Sequence, residues 1–540
     1  MVDGGGVDAG EADVIIVGAG SAGCVLAARL SENPKLTVLL IEAGTKARDF
    51  FIDMPAGSFR MMGDPAYDWC YPTEPDPSIN GRVLQWAGGR MLGGSSAING
   101  LVYVRGHRAD YDDWVAAGAQ GWSFDEIAPF FRKSERFEGQ PTQSHGSLGE
   151  LSVSPGKVRH PIVDVFVSAC KDAGLAENPD YCAGDPSGVF PVLNTTRNGQ
   201  RSSAANAFLE PARARANLRI QTGGIVDRVV IENGRAVGLR VIDESGARTY
   251  RARAEVIVSA GSIGSPAILL RSGIGPAEEL RALGVPVAVA CDAVGRNLQE
   301  HSAASISKLV DMPTYNAPFG PLTMTRNLLS YLLARSGPMT SAAVQAMAYG
   351  RTRSDLAAPD FCLSLMPLAI DLSSGRPAMH SQPGITIAGN LTRPKSRGAI
   401  RLRSTDPRDK PVIDHRLIGS DEDLAALIGM MRFIAVLYET PSLKRHVVGE
   451  NRPSPMPLTD DAWATFIRDN AGMGYHPTST CRMGAPGESV LDPQLRVRGV
   501  GGLRVIDASS MPNIISGNTN APTIMIAERG AELVASALAA

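Results

Sequence analysis

The chain has 540 residues, more than one ordinary hydrophobic core holds, and this length predicts about two to four domain-sized units. Its 53 Lys and Arg residues nearly balance 55 Asp and Glu residues, and the net charge of −2 excludes a strongly basic face for nucleic acid. Seven scattered cysteines without a C-x-x-C pair argue against a disulfide framework or a zinc site. No run approaches the roughly 18 apolar residues of a transmembrane segment. We therefore expect a cytoplasmic protein without a metal; loose association with a membrane is left open.

The N-terminal residues have the pattern of a βαβ unit. An apolar strand over 12–17 precedes the glycine-rich run 18–23, a helix follows over 24–30, and a second strand runs over 36–41. Glycines let backbone amides approach a pyrophosphate at the start of a helix, and an acid about 20 residues further on binds a ribose. The pattern predicts a dinucleotide site, and a glycine-rich turn without a ligand is the alternative. The candidate residues are Gly18, Gly20, Ser21, Ala22, Gly23, Glu42 and Ala43.

The middle of the chain alternates between irregular and regular patterns. Residues 47–90 are rich in Pro, Gly, Asp and aromatic residues and are typical of a long excursion. An antiparallel meander is expected next, followed by a buried strand, and residues 310–470 are expected to form a second domain on the substrate side. The predicted strands are 226–231, 236–242, 248–253, 255–261, 384–391 and 398–403, and the predicted helices are 325–335 and 422–437.

Two further glycine-rich segments follow the first. Residues 88–96 contain four glycines in seven positions, with Asn99 shortly after, and such spacing lets backbone amides approach a flat or anionic ligand. Residues 261–275 close a buried strand and open a helix, which places small side chains beside a cofactor. A glycine loop on the surface is the alternative for the first of these segments.

The C-terminal residues contain a candidate acid/base pair. His476 follows Gly474-Tyr475 and precedes Pro477, and Asn520 lies within Asn518-Thr519-Asn520. A neutral imidazole is a suitable base for an alcohol proton near physiological pH. The amide of Asn520 can donate a hydrogen bond to the developing alkoxide and orient the hydroxyl. Together with a dinucleotide site, the pair indicates redox chemistry on an alcohol, although a structural histidine is the alternative for His476.

With these segments in hand, the chain from about Asp13 to Ala540 resembles the glucose-methanol-choline family of FAD-dependent alcohol oxidases and dehydrogenases. Residues 88–96 and 261–275 look like that family's two signatures, and the tail from Val505 to Glu528 looks like its flavin segment. The resemblance implies FAD rather than NAD. It also implies that His476 and Asn520 are the catalytic pair. Some members tether the flavin through a His where this chain has Ile98, so non-covalent FAD is expected.

The resemblance also assigns positions around the cofactor. The ribose would lie on Glu42, the loop 99–102 would border the flavin ring, the backbone of Val226 would meet the adenine, and Asp507 would lie near the pyrophosphate. An Asn rather than a second His at position 520 resembles the choline-oxidising subgroup. The remaining cofactor residues implied by the resemblance are Trp69, Arg90, Gly93, Gly94, Ser95, Asn99, Gly100, Leu101 and Val102.

The resemblance implies a mixed α/β architecture, with a Rossmann-like FAD-binding domain and a discontinuous substrate-binding domain built on an antiparallel sheet flanked by helices. The FAD-binding parts are 12–155 (with the flavin loop 88–102), 223–309 and 471–540. The substrate parts are 156–222 and 310–470.

The expected reaction is oxidation of a primary alcohol to the aldehyde by hydride transfer to flavin N5, with electrons passed to a quinone-type or other acceptor. An oxidase that passes electrons to O2 and releases hydrogen peroxide is the first alternative, and a flavin-containing hydroxynitrile lyase is the second. His301 is expected to serve the fold rather than catalysis. Candidate substrate-pocket residues, with ordinary core as their alternative, are Phe319, Tyr331, Tyr349, Phe361, Met366 and Met379.

Overall fold

The computed structural model describes residues 7–46, 49–140, 142–316, 321–371 and 378–539. Two seven-stranded sheets organise these residues, and helices pack around both, which is the mixed α/β fold expected from the sequence. No helix in the described ranges is long and apolar enough to span a lipid bilayer. The helices are Ser21–Leu30, Ser58–Met61, Arg108–Ala116, Phe124–Ser134, Ile162–Asp172, Glu210–Ala212, Gly261–Arg271, Ala277–Ala282, Pro321–Ala334, Asp421–Glu439, Pro441–Lys444, Asp460–Asn470 and Asn520–Ala539.

The first sheet contains the predicted βαβ unit. Its central strands pair in parallel and are buried, which explains why they are continuous apolar runs. The helix Ser21–Leu30 connects the first two of them. In sheet order the strands are Leu218–Thr222, Val38–Glu42, Val7–Val17, Gly246–Val258, Arg235–Asp243 and Ile225–Glu232, with Leu503–Val505 pairing in parallel with Gly246–Val258.

One strand of the first sheet is longer than the sequence pattern suggested. Residues 248–253 and 255–261 were expected to form separate strands, but Gly246–Val258 is continuous. It pairs in an antiparallel manner with Arg235–Asp243 and in parallel with Val7–Val17. A single strand can serve both the meander and the parallel core because its two edges have different partners.

The second sheet is antiparallel throughout. The helix Asp421–Glu439 packs against it, and the predicted strand over 384–391 is confirmed at its centre. Its strands, in order, are Val447–Arg452, Ser302–Val310, Gly384–Leu391, Phe361–Met366, Ala346–Gly350 and Gly188–Pro191, with Gly472–Met473 pairing with Ser302–Val310.

Three strands lie in a different sheet from the one that the predicted domain boundaries imply. Leu218–Thr222 falls in a predicted substrate part but pairs in parallel with Val38–Glu42 of the first sheet. Ser302–Val310 and Gly472–Met473 fall in predicted FAD-binding parts but belong to the second sheet. Hydrophobic patterns locate strands without revealing their pairing partners, and this explains the difference.

The two ends of the chain pack against each other. The helix Ser21–Leu30 lies against Asn520–Ala539, and the Arg29 guanidinium binds the fully buried carboxylate of Glu528 with an Nη2–Oε1 distance of 2.8 Å. Arg29 also binds Glu150 at 2.6 Å. The N-terminal and C-terminal segments that carry the predicted cofactor and catalytic residues are therefore held together by a partly buried ionic network.

Candidate active site

The first glycine-rich run forms an open turn at the start of the helix Ser21–Leu30. Gly18 has a φ of +90°, which disfavours other residues. A Cβ atom on Gly23 would lie 1.8 Å from the carbonyl oxygen of Gly18, so the turn closes only with glycine there. Gly20, in contrast, has no atom within 4 Å of its Cβ position. The turn therefore leaves room for a phosphate group beside the first amides of the helix.

Glu42 lies at the end of its strand with a buried carboxylate. Its Oε2 accepts a hydrogen bond from the backbone amide of Ala19 at 2.8 Å, and its Oε1 accepts one from Gly44 at 2.8 Å. Burial raises the pKa of Glu42. Ala43 follows directly in the chain. Each carboxylate oxygen has further acceptor capacity, which is what binding of a ribose hydroxyl requires.

The side chains of Arg90 and Trp69 pack against each other near Glu42. The Arg90 guanidinium carbon lies 5.1 Å from the ring centroid of Trp69, and its charge stabilises the Glu42 carboxylate. The buried Nε atom of Arg90 has no hydrogen-bond partner among the described residues. A buried donor without a partner, beside a buried acceptor, fits a polar ligand such as the nucleotide half of FAD.

The second glycine-rich run packs directly on the first. The amide of Gly93 donates to the carbonyl oxygen of Ala19 at 2.7 Å. A Cβ atom on Gly94 would lie 2.7 Å from Cα of Gly20, so a larger residue would push the two turns apart. Ser95 follows within the 3-10 turn Gly94–Ala97. The structure thus brings the two predicted cofactor loops together.

The loop after this turn is shaped by Asn99. Its Oδ1 accepts hydrogen bonds from the amide of Leu101 at 3.1 Å and from Nη1 of Arg201 at 2.7 Å. Leu101 adopts a left-handed φ of +67°, and Gly100 and Val102 flank it. Arg201 is buried and was not predicted, because an isolated Arg in a polar stretch carries no pattern that indicates burial.

Asp507 connects the third glycine-rich segment to the C-terminal tail. Its Oδ2 accepts from the Gly261 amide at 2.9 Å and from Ser265 Oγ at 2.5 Å, and its Oδ1 accepts from the Ser509 amide at 2.8 Å. Burial raises the pKa of Asp507. The predicted adenine contact, Val226, is buried in the strand Ile225–Glu232 at the edge of the first sheet.

His476 is half-buried and hydrogen-bonded through both ring nitrogens. Its Nε2 lies 2.9 Å from Nδ2 of Asn518, and its Nδ1 lies 2.9 Å from Nδ1 of His301. Burial, with a smaller contribution from His301, lowers the pKa of His476 well below its ordinary value. The imidazole is therefore neutral near neutral pH, as a general base must be.

Asn520, the predicted partner of His476, is hydrogen-bonded to Ser21 in the structure. It is the first residue of the last helix, and its Oδ1 accepts a hydrogen bond from Ser21 Oγ at 2.7 Å. The asparagine that contacts the imidazole is Asn518, two residues earlier. Asn518 and Asn520 are two residues apart in the sequence. Their side chains have different partners because Asn518 precedes the last helix and Asn520 begins it.

The hydrogen-bond chain fixes which ring nitrogens carry protons. Nε2 of His301 lies 3.0 Å from the carbonyl oxygen of Ile515, which only accepts, so this nitrogen carries hydrogen. Burial lowers the pKa of His301 to about 4, so the ring is neutral and its Nδ1 accepts. Nδ1 of His476 must then donate to His301, and Nε2 of His476 keeps its lone pair. The proton-accepting atom of the site is thus Nε2.

Glu300 holds the backbone of both histidines. Its carboxylate accepts hydrogen bonds from the amide of His301 at 2.7 Å and from the amide of His476 at 2.8 Å and 2.9 Å. Burial raises the pKa of Glu300 to about 8. The Glu300-His301 step, which was expected to serve the fold, therefore reaches the candidate base directly.

Tyr349 is the pocket candidate that the structure places beside Asn518. A Cβ atom on the neighbouring Gly517 would lie 3.0 Å from the Tyr349 hydroxyl oxygen. Phe361 is fully buried in the second sheet, which is the ordinary core alternative, and Tyr331 is also buried, with its ring 5.8 Å from that of Phe50. Met379 is exposed. Met366 ends the strand Phe361–Met366, and Phe319 lies outside the described residues.

Comparison with known proteins agrees with this geometry. Two models of the GMC oxidoreductase family match residues 12–303 and 394–527. An oxygen-dependent choline dehydrogenase of Brucella suis biovar 1 is 37% identical over 525 residues, covering 97% of this chain and 95% of the relative. The mitochondrial choline dehydrogenase of Homo sapiens is 37% identical over 534 residues, covering 97% of this chain and 90% of the relative.

Solved structures show the same fold. A pyridoxine 4-oxidase from Mesorbium loti superimposes with a TM-score of 0.88 at 32% identity, covering 96% of this chain and 98% of the other. A formate oxidase superimposes with a TM-score of 0.92 at 27% identity, covering 98% of this chain and 99% of the other. The chain therefore belongs to the GMC oxidoreductase family and is an FAD-binding oxidoreductase that acts on CH–OH groups.

Proposed function

We propose that the protein oxidises a primary alcohol to the aldehyde, with Nε2 of His476 as the general base and Asn518 as its hydrogen-bond partner. The observation that supports this most strongly is the lone pair held at Nε2 by the chain from Ile515 through His301. A substrate hydroxyl that takes the place of the Asn518 amide at Nε2 donates its proton to this atom, and the displaced amide donates a hydrogen bond to the alkoxide oxygen. Bound FAD supplies the hydride acceptor at N5.

Asn520 takes a different role in this proposal. Its contact with Ser21 connects the start of the last helix to the turn that faces the pyrophosphate. Because both helices begin there, their N-terminal amides favour the negative charge of a phosphate group. We assign Asn520 to cofactor binding and Asn518 to the substrate side.

The substrate is proposed only as a class, with choline as its first candidate because the two relatives are named choline dehydrogenases. A cytoplasmic location is supported by the seven cysteines, all of which are free. A quinone-type or other carrier is our proposed electron acceptor. An O2-using oxidase is the second candidate, favoured because the two solved structures are those of oxidases.

The test is the visible spectrum of the purified holoenzyme, mixed without oxygen with choline, benzylic and long-chain primary alcohols. Bleaching of the flavin identifies the substrate class, and its absence with every primary alcohol contradicts the proposal. Admission of air then distinguishes an oxidase from a dehydrogenase. The reduced flavin of an oxidase is reoxidised by O2 within the time of one turnover, whereas that of a dehydrogenase is reoxidised slowly.

A further inference from the structure

The helix Pro321–Ala334 exposes an apolar face to solvent. Five of its apolar side chains are exposed, at positions 324, 328, 329, 332 and 333, with exposed fractions between 36% and 84%. This spacing places them on one side of the helix. We call this surface the leucine face, and it consists of Met324, Leu328, Leu329, Leu332 and Leu333.

The opposite face of the same helix is polar and turned inward. Asn327 and Tyr331 are buried, and Ser330 Oγ lies 2.9 Å from Ser336 Oγ. A surface helix normally buries its apolar face and exposes its polar one. This helix has the reverse arrangement, because its leucines are exposed and Asn327 and Tyr331 are buried.

Aromatic and cationic side chains border the leucine face. Phe50 is half-exposed, and its ring lies 5.8 Å from that of Tyr331. Exposed Arg326 lies on the helix itself, and Lys157 donates a hydrogen bond to the carbonyl oxygen of Arg335 at 3.2 Å. Neither cation forms an ion pair with a carboxylate within the described residues, and the helix carries no acid. The cations Arg326, Lys157 and Arg335, the last with its guanidinium 4.6 Å from the Tyr331 ring centroid, therefore outnumber Asp53, the acid whose charge acts on Tyr331.

We propose that the leucine face docks on an anionic lipid bilayer, with the helix lying in the plane of the interface. Leucines on one side and cations at the edge are the features of interfacial helices, which bind by apolar burial and by attraction to anionic headgroups. A symmetric pairing of two copies through this face would bring Arg326 and Lys157 against the same cations of the second copy. The charge thus favours a lipid surface over a second chain.

The experiment is flotation of the holoenzyme with vesicles of phosphatidylcholine, with and without phosphatidylglycerol. We expect binding to the anionic vesicles and at least about a tenfold loss when Leu328→Ser, Leu329→Ser, Leu332→Ser and Leu333→Ser are combined. The matched control combines Leu148→Ser and Leu458→Ser, whose side chains are 91% and 89% exposed elsewhere, and it should bind like the wild type. Flavin bleaching by substrate should be unchanged in both.

A second variant, Arg326→Glu with Lys157→Glu, leaves the leucines intact and should weaken binding to the anionic vesicles while leaving the fold undisturbed. The proposal is overturned if the wild type ignores both vesicles, or if the serine variant binds as well as the control. Sedimentation velocity gives the other overturning result: a dimer that the serine substitutions dissociate assigns the leucine face to a second copy of the chain.

Discussion

The Nδ1 atom of His301 lies 2.9 Å from the Nδ1 atom of His476, and the other side of the His301 ring contacts the backbone carbonyl of Ile515. A peptide carbonyl thus determines the proton position on one imidazole, which determines it on the next. His301 acts as a positioning residue, because it presents the lone pair of His476 without reaching the proposed substrate.

Substitutions at His301 test this arrangement. Gln has an amide oxygen that accepts from His476 Nδ1 and an amide group that donates to Ile515, whereas Leu offers neither. We expect His301→Leu to slow flavin reduction at least about tenfold, and His301→Gln to restore part of the rate. Stopped-flow measurements should show the loss in the reduction rate rather than in KM. Equal rates for the Gln and Leu variants would refute the positioning role.

Removal of the proposed base should affect chemistry and spare the cofactor. We expect His476→Ala to lower the rate of flavin reduction by about a hundredfold or more while the flavin spectrum is retained. His446→Ala is the matched control, because that imidazole contacts Asp311 near the surface. A colourless His476→Ala protein, or one whose flavin is reduced at the wild-type rate, would contradict the role of His476 as the general base.

Substitutions of Asn518 and of Asn520 should have different effects on the enzyme. Asn518→Ala removes the amide next to Nε2 of His476 and should slow flavin reduction by about tenfold or more with a full complement of FAD. Asn520→Ala removes the contact with Ser21 and should instead lower the FAD content or the midpoint of thermal unfolding. The reverse outcome would restore Asn520 as the catalytic partner.

The pH dependence follows from the lowered pKa of His476. The base is active when neutral, so the rate rises with pH through its pKa and is constant above it. Because burial holds this pKa well below the ordinary 6.5, flavin reduction should stay constant from neutral pH down past 6.5 and fall only in more acidic buffer. A profile that already declines above 6.5 would contradict the buried, neutral state.

The ionic network between the chain ends should contribute to stability. Arg29→Ala leaves the fully buried carboxylate of Glu528 with Lys133 alone, at 3.2 Å, and should lower the free energy of unfolding by about 2–3 kcal/mol. Arg353→Ala removes a pair with Asp355 in which both side chains are 68% exposed, so it should leave the unfolding midpoint unchanged. Denaturation followed by flavin fluorescence measures both.

Local patterns predicted much of the fold. The apolar run before Gly18 was a buried strand, and the strand over 384–391 had the expected bounds, whereas the helix predicted over 24–30 begins earlier, at Ser21. These elements follow from periodicity, which the chain carries within a few residues. The family and the cofactor followed from the resemblance, because several glycine-rich segments agreed at once.

The parts that the sequence did not predict depend on contacts between distant residues. His301 reaches His476 across 175 positions, and Arg201 reaches Asn99 across 102. Asn518 and Asn520 are the same residue type two positions apart, and only the start of the helix Asn520–Ala539 orients them differently. No periodicity reports such pairings, so they required the three-dimensional arrangement.

The hydrogen bond between Ser21 and Asn520 joins residues separated by 499 positions. During translation the N-terminal turn leaves the ribosome early, whereas Asn520, which binds it through Ser21, emerges near the end. At about 5–20 residues per second, roughly half a minute to two minutes pass between the synthesis of the N-terminal turn and the synthesis of Asn520. We therefore expect stable binding of FAD only after the helix Asn520–Ala539 has been synthesised.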